Sequence, residues 1–158
     1  MPDSKIKLSN TPGFKVIKHW LDKQKRKPFA FQQETWESII NNESGLVNAP
    51  TGFGKTYSVF LGALIQFINN NPKEFLNKKN NGLQLLWITP LRALAKDIER
   101  AMIEVIEELG MAWKIGSRNG DTPTAERAKQ TIRRKKGCFL KAERTNPGKI
   151  GADPEAYE

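Results

Sequence analysis

The chain has 158 residues, one Cys and one His, with 26 Lys and Arg against 17 Asp and Glu, a formal net charge of +9. That length is a prior for one domain with one sizeable core and excludes a complete two-domain machine within it. The lone Cys138 excludes an internal disulfide framework, and with His19 as the single histidine there is no cluster for structural zinc.

Residues 1–13 read as a frayed start. From Phe14 the spacing Phe14, Val16, Ile17, Trp20, Leu21 predicts a helix, followed by a basic connector over 23–28. Residues 29–42 predict a second helix with Phe31, Trp36, Ile39 and Ile40 as its apolar members, and GLVNA (45–49) a short strand. A helix over 54–70 follows, packing through Tyr57, Phe60, Leu61, Leu64, Ile65 and Ile68. Residues 69–82, rich in Asn and Lys, read as a surface loop. LQLLWIT (83–89) predicts a buried strand closed by Pro90. Leu91, Leu94, Ile98, Met102, Val105 and Leu109 recur every three or four residues, a long amphipathic helix stopped by Gly110. Residues 111–115 predict a weak strand. Thr122-Pro123 then reads as an N-cap with proline at the first helical position, opening a helix to about residue 135. Strands alternating with helices give the α/β class: a parallel sheet flanked by helices, with its site at the C-terminal ends of the strands.

The basic excess is uneven. Residues 129–149 hold 8 basic groups and 1 acidic one, so this short stretch supplies most of the net charge. The longest apolar run, 59–68, is interrupted by Gly62 and Gln66. It falls well short of the ~20 residues of a transmembrane helix. The first ten residues have no apolar core of the kind a signal peptide needs. A cytoplasmic setting is the expectation.

The sharpest feature is Ala49-Pro50-Thr51-Gly52-Phe53-Gly54-Lys55-Thr56, between the GLVNA strand and a helix. Gly52 and Gly54 let backbone N–H groups curl around a polyphosphate with no Cβ in the way. The helix starting near Lys55 offers unpaired N–H groups and a positive dipole end. Lys55 supplies a point charge for the β- and γ-phosphates, and Thr56 a hydroxyl for Mg²⁺. The general pattern starts with Gly where this chain has Ala49, and Phe53 is bulky where small residues are commoner. The loop by itself specifies a nucleotide-binding protein and leaves open which one.

AxTGxGKT, the upstream FQQETW and the downstream TPLRALA together resemble superfamily-two DEAD/DEAH-like helicases. KPFAFQQETW, GLVNAPTGFGKTYS, GLQLLWITPLRALAKDI and GSRNGDTPTAERAKQ fall in family order, and the Lhr-like branch is the most similar, its ligase-associated DEXH-box members in particular. The resemblance covers about residues 14–136 and implies the N-terminal part of an incomplete RecA-like P-loop NTPase domain that uses ATP and Mg²⁺. It implies that Gln32 reads the adenine, an amide being able to donate and accept in one plane. Gln32 as a plain solvated helix residue is the alternative, and Phe31 and Trp36 read as core. It implies that Thr89, Pro90, Leu91 and Arg92 contact the nucleic-acid backbone, where a strand end meets a helix start. For Arg92, a simple helix-surface role is equally open. It further implies that Arg118, Gly120 and Asp121 help line the nucleic-acid track, although capping of the next helix by Asp121 or Thr122 is what physics alone predicts.

Past about Gly137 the resemblance is expected to stop, leaving 137–158 as a poorly ordered non-family tail, native or frame-shifted. The DExH acid pair, which holds Mg²⁺ and positions the attacking water in such enzymes, is absent from the chain. The readings are therefore the N-terminal part of an ATP-dependent DNA helicase acting in repair, partnered by DNA and linked to a ligase and a nuclease, or a non-catalytic nucleotide or nucleic-acid binding module. A small kinase is disfavoured, because no lid or substrate element accompanies the loop.

Overall fold

The computed structural model describes residues 5–78, 82–119, 122–125 and, for the backbone, 138–142. The chain divides into two compact units, Met1–Lys79 with Val105–Ala112, and Asn80–Glu104 with Trp113–Glu158.

The first unit is built on three helices: α1 (Pro12–Lys23), α2 (Ala30–Ile40) and α3 (Lys55–Asn70). Residues 8–13 are built into the unit, which corrects the expectation of a frayed start through 13. Leu8–Asn10 form a 3-10 turn and Leu8 is buried. The Thr11 hydroxyl donates to the Leu8 carbonyl at 2.8 Å and accepts the Phe14 N–H at 3.4 Å, capping α1, while Pro12 takes its first position.

Gly13 allows α1 and α3 to touch. A Cβ there would lie 2.3 Å from the Ile65 carbonyl oxygen, and the Gly13 N–H donates to Asn69 Oδ1 at 2.8 Å. The sealed core is Ile17, Trp36, Phe60, Leu61, Leu64, Ile65 and Ile68, each at most 1% exposed. Burying each such side chain is worth about 1.5–3 kcal/mol, which is what makes α3 form around its glycine-rich start.

The expected GLVNA strand does not form. Among the described residues no strand pairs with 45–49, and Leu46 is 94% exposed. A strand is stabilised by its neighbour's N–H and C=O groups, and a β-like run without one stays irregular.

In the second unit, β1 (Leu86–Thr89), β2 (Ile115–Arg118) and β3 (Cys138–Ala142) form a parallel sheet in the order β1-β3-β2. Leu86 is level with Phe139, and Ile115 with Cys138. Residues 138–142 fall in the stretch 137–158 expected to be a poorly ordered tail; they form the central strand instead.

The apolar run at 83–89 is shorter and more open than predicted. Leu86 and Ile88 share an exposed face, while Thr89 lies on the covered one. The predicted strand at 111–115 is displaced to 115–118. Met111 and Trp113 alternate as buried residues, but the Met111 N–H bonds back to Ile106 and the Ala112 N–H to Leu76. The first of these closes a Schellman motif around Gly110 (φ +66), with the Gly110 N–H on Glu107. That motif ends α4 (Arg92–Leu109) where Gly110 predicted it would end.

The buried stripe of α4 is Ala95, Ile98, Met102, Val105 and Ile106; Leu91 and Leu94, predicted to pack, are exposed. Thr124 and Ala125 begin a helix, and the remainder of the helix predicted to residue 135 lies outside the described residues.

Candidate nucleotide-binding site

The site begins with the backbone ahead of α3. Gly52 (φ +86) and Gly54 (φ +79) both occupy the left-handed region that favours glycine, and Gly54 is the N-cap residue. The first backbone bond into the helix runs from the Ser58 N–H to the Gly54 carbonyl at 3.0 Å. Among the described residues, the N–H groups of Lys55, Thr56 and Tyr57 therefore have no backbone acceptor, and they stand at the positive end of the dipole of a 16-residue helix.

Lys55 Nζ donates across the loop to the Ala49 carbonyl, so the lysine closes the segment that contains Pro50, Thr51 and Gly52. Pro50, Thr51, Gly52 and Phe53 are exposed, while Thr56 is half-buried on the first helical turn. The predicted loop residues Ala49 to Thr56 are thus assembled in one place.

Gln32 joins α2 to this loop. Its Oε1 accepts the Phe29 N–H at 3.0 Å and its Nε2 donates to the Gly54 carbonyl at 3.2 Å. The two partners fix which end of the amide is oxygen. Gln32 is 7% exposed, which excludes the solvated-residue alternative. One amide proton and one acceptor lone pair are left over, the complement an adenine edge requires. A Cβ on residue 54 would sit 2.9 Å from Gln32 Nε2, so this contact adds to the demand for glycine there.

Beside the loop lies a pocket of about 410 Å³, lined on its aromatic side by Trp20, Phe29, Phe53 and Tyr57 and on its polar side by Gln32, Arg26 and Lys27. Among the described residues no carboxylate lines it. Phe29, Arg26 and Lys27 were absent from the predicted site. The signal for Phe29 was its place three residues before Gln32, the spacing at which a side chain reaches back to an N-cap N–H. Trp36 is fully buried in the core, as read, and its Nε1 has no hydrogen-bond partner among the described residues.

The residues fit a nucleoside triphosphate: unpaired N–H groups for the phosphates, a lysine, and an aromatic pocket with an amide. Magnesium fits only as an ion arriving with the phosphates. Thr56 offers one hydroxyl, and among the described residues no group of three His, Cys, Asp or Glu converges to hold a metal.

The other predicted residues belong to the second unit. Thr89 is 3% exposed and its hydroxyl has no partner among the described residues; Pro90 and Leu91 are exposed, and Arg92 is half-buried. The Ala95 N–H bonds to the Leu91 carbonyl at 3.0 Å at the start of α4. Arg118 ends β2, half-buried. Gly120 and Asp121 lie outside the described residues. The Thr122 hydroxyl accepts the Asn119 N–H at 2.9 Å, so it stabilises the turn.

Lys5 Nζ lies 2.8 Å from Glu43 Oε1, and their mutual hydrogen bond raises the lysine and lowers the carboxyl.

A phosphate loop opening a helix, joined by a glutamine to an aromatic pocket, defines a nucleotide-binding site, and the sequence profile of the DEAD/DEAH box helicases matches residues 29–150. The chain belongs to that family. The match runs past Gly137 and corrects the expectation that family character stops there. Over 136 residues the chain is 35% identical to the ATP-dependent helicase Lhr-Core of Sulfolobus acidocaldarius, covering 77% of this chain and 15% of that protein. Over 127 residues it is 31% identical to the Lhr helicase/uracil glycosylase of Escherichia coli, covering 73% of this chain and 8% of that one. The structure of Mycobacterium smegmatis helicase Lhr bound to ssDNA and AMP-PNP superposes with a TM-score of 0.57 at 28% identity, over 83% of this chain and 16% of that one. That likeness gives the fold as the RecA-like helicase type. The chain thus spans only a small part of the length of these relatives.

Proposed function

We propose that this chain is the ATP-binding, nucleic-acid-contacting N-terminal part of an ATP-dependent DNA helicase. The observation that carries the reading is the pre-formed phosphate loop: left-handed Gly52 and Gly54, unpaired N–H groups on Lys55, Thr56 and Tyr57, and the Gln32 amide at the pocket edge. Lys55 exchanges its Ala49 carbonyl for the β- and γ-phosphates. Gln32 keeps its grip on Gly54 and uses its spare donor and acceptor on the adenine. Thr56 offers its hydroxyl to a magnesium ion carried by the phosphates, which supplies charge neutralisation at the γ-phosphate when bound.

Thr89 to Arg92 is assigned to the DNA backbone. The buried Thr89 hydroxyl, without a partner among the described residues, is the group a phosphate oxygen would satisfy at the junction of β1 and α4. Arg118, Gly120 and Asp121 are assigned to the same track on resemblance. The relative bound to ssDNA and AMP-PNP supports both ligand classes. A cytoplasmic repair role beside a DNA ligase and a nuclease completes the reading. Among the described residues, no helix is long and apolar enough to cross a membrane.

A second reading, a binding module without turnover, is favoured because among the described residues no carboxylate lines the pocket, and the sequence contains no DExH pair. We hold that the chain alone binds ATP and does not hydrolyse it. Phosphate release by this 158-residue chain, with and without single-stranded DNA, tests this. The expected result is binding with no stimulated turnover, and DNA-stimulated hydrolysis would overturn it.

A further inference from the structure

The site as described uses Gln32 and Lys55 and gives Phe53 no more than a share of the pocket wall. Phe53 stands between two glycines of positive φ, where the backbone has the most freedom. The hydrogen bond holding the loop tip to itself, Phe53 N–H to the Pro50 carbonyl, is long at 3.5 Å. The Phe53 ring instead leans on Phe29, centroids 5.5 Å apart and planes at 52°. Phe29 is in turn stacked on Phe31 at 5.9 Å and 17°.

Phe29 is also the residue whose N–H Gln32 accepts, while the other end of the Gln32 amide holds Gly54. The contacts close a circuit: Phe53 ring to Phe29 ring, Phe29 N–H to Gln32, Gln32 to the Gly54 carbonyl, and the peptide bond back to Phe53. One side of the circuit is polar and the other aromatic. Phe29 is 47% and Phe53 46% exposed, so the ring contact is not there to fill the core.

We infer that Phe53 is a positioning residue: its ring, braced on Phe29, holds the tip of the phosphate loop against the start of α2 and keeps the loop open for a polyphosphate. This rests on the nucleotide reading above. A brace acts on the loop rather than on the base, so it serves any ligand that carries a triphosphate.

The test is calorimetric binding of Mg·ATP and of inorganic tripolyphosphate to the full chain. The variants are Phe53→Ser, Phe53→Trp, Phe29→Ala and the Phe53→Ser/Phe29→Ala double. Phe53→Ser is expected to weaken both ligands by the same factor, about 3- to 10-fold. Phe53→Trp, which keeps a ring, recovers most of that loss, and the double variant loses little more than either single one because the two share one contact. Unchanged binding in Phe53→Ser overturns the inference. So does a loss confined to ATP, which would put the ring on the base, and so do additive losses in the double variant. If the wild-type chain binds neither ligand, the nucleotide reading fails and this inference with it; binding that survives Phe53→Ser refutes this inference alone.

Discussion

The two units reach order by different routes. In the first, α1, α2 and α3 pack around a sealed apolar core, and each helix end is made by nearby residues: Thr11 and Pro12 for α1, Gln32 with Phe29 for α2, Gly54 for α3. In the second, β1 and β2 have no direct ladder to each other and are joined through β3, a strand at least 20 residues further along the chain. Helices satisfy their backbone bonds within themselves, whereas strands depend on partners placed elsewhere. The phosphate loop belongs to the first kind of region, which is why its geometry is complete even though the GLVNA segment before it has no strand partner among the described residues.

Three substitutions break or sharpen that contrast. The largest effect is expected for Trp36→Ala, which empties the centre of the first unit. It should cost about 3–5 kcal/mol, read as a lowered denaturant midpoint. An unchanged midpoint would show that the helical unit does not depend on this core. Gln32→Ala comes next. It leaves the Phe29 N–H without its partner and the Gly54 carbonyl with only the Ser58 N–H, for a cost of about 1–3 kcal/mol, with weaker ATP binding in the same protein. A loss of stability with unaltered ATP affinity would separate Gln32 from the site and leave it as a strut.

Ile88→Thr should do least. The residue is 60% exposed on β1, and threonine keeps the β-branched shape, so the change should stay within about 0.5 kcal/mol. A loss comparable to that of Trp36→Ala would mean that the open face of β1 is covered in solution.

The same contrast governs what the sequence disclosed. The periods of α1, α2, α3 and α4 were legible because the apolar repeat and the end signals are local; Gly110 marked its stop and takes the left-handed conformation a helix terminator needs. Thr11-Pro12 carried the N-cap signature recognised at Thr122-Pro123, but the polar composition around it masked the signal. Strands were harder. LQLLWIT is apolar enough for a buried strand, yet only four residues pair, and Leu86 and Ile88 face outward. CFLKA, flanked by basic and turn-forming residues, gave no strand pattern, although it lies between β1 and β2. Its role depends on long-range pairing that no local window contains.

For the site, the phosphate loop was legible residue by residue because each position has a physical reason within eight residues. The part played by Gln32 as a bridge to Gly54, and the aromatic wall made by Phe29 with Phe53, required α2 and α3 to be placed side by side.

The central claim is that this loop is a working nucleotide cradle, and Mg·ATP titration of the wild-type chain against Lys55→Ala tests it most directly. Lys55 is half-buried at the loop and is not part of the sealed apolar core, so the variant keeps the core intact. The account predicts saturable binding by the wild type and a loss of about 10- to 100-fold in the variant, the worth of one charge-assisted contact. Equal affinity in the two proteins would contradict it.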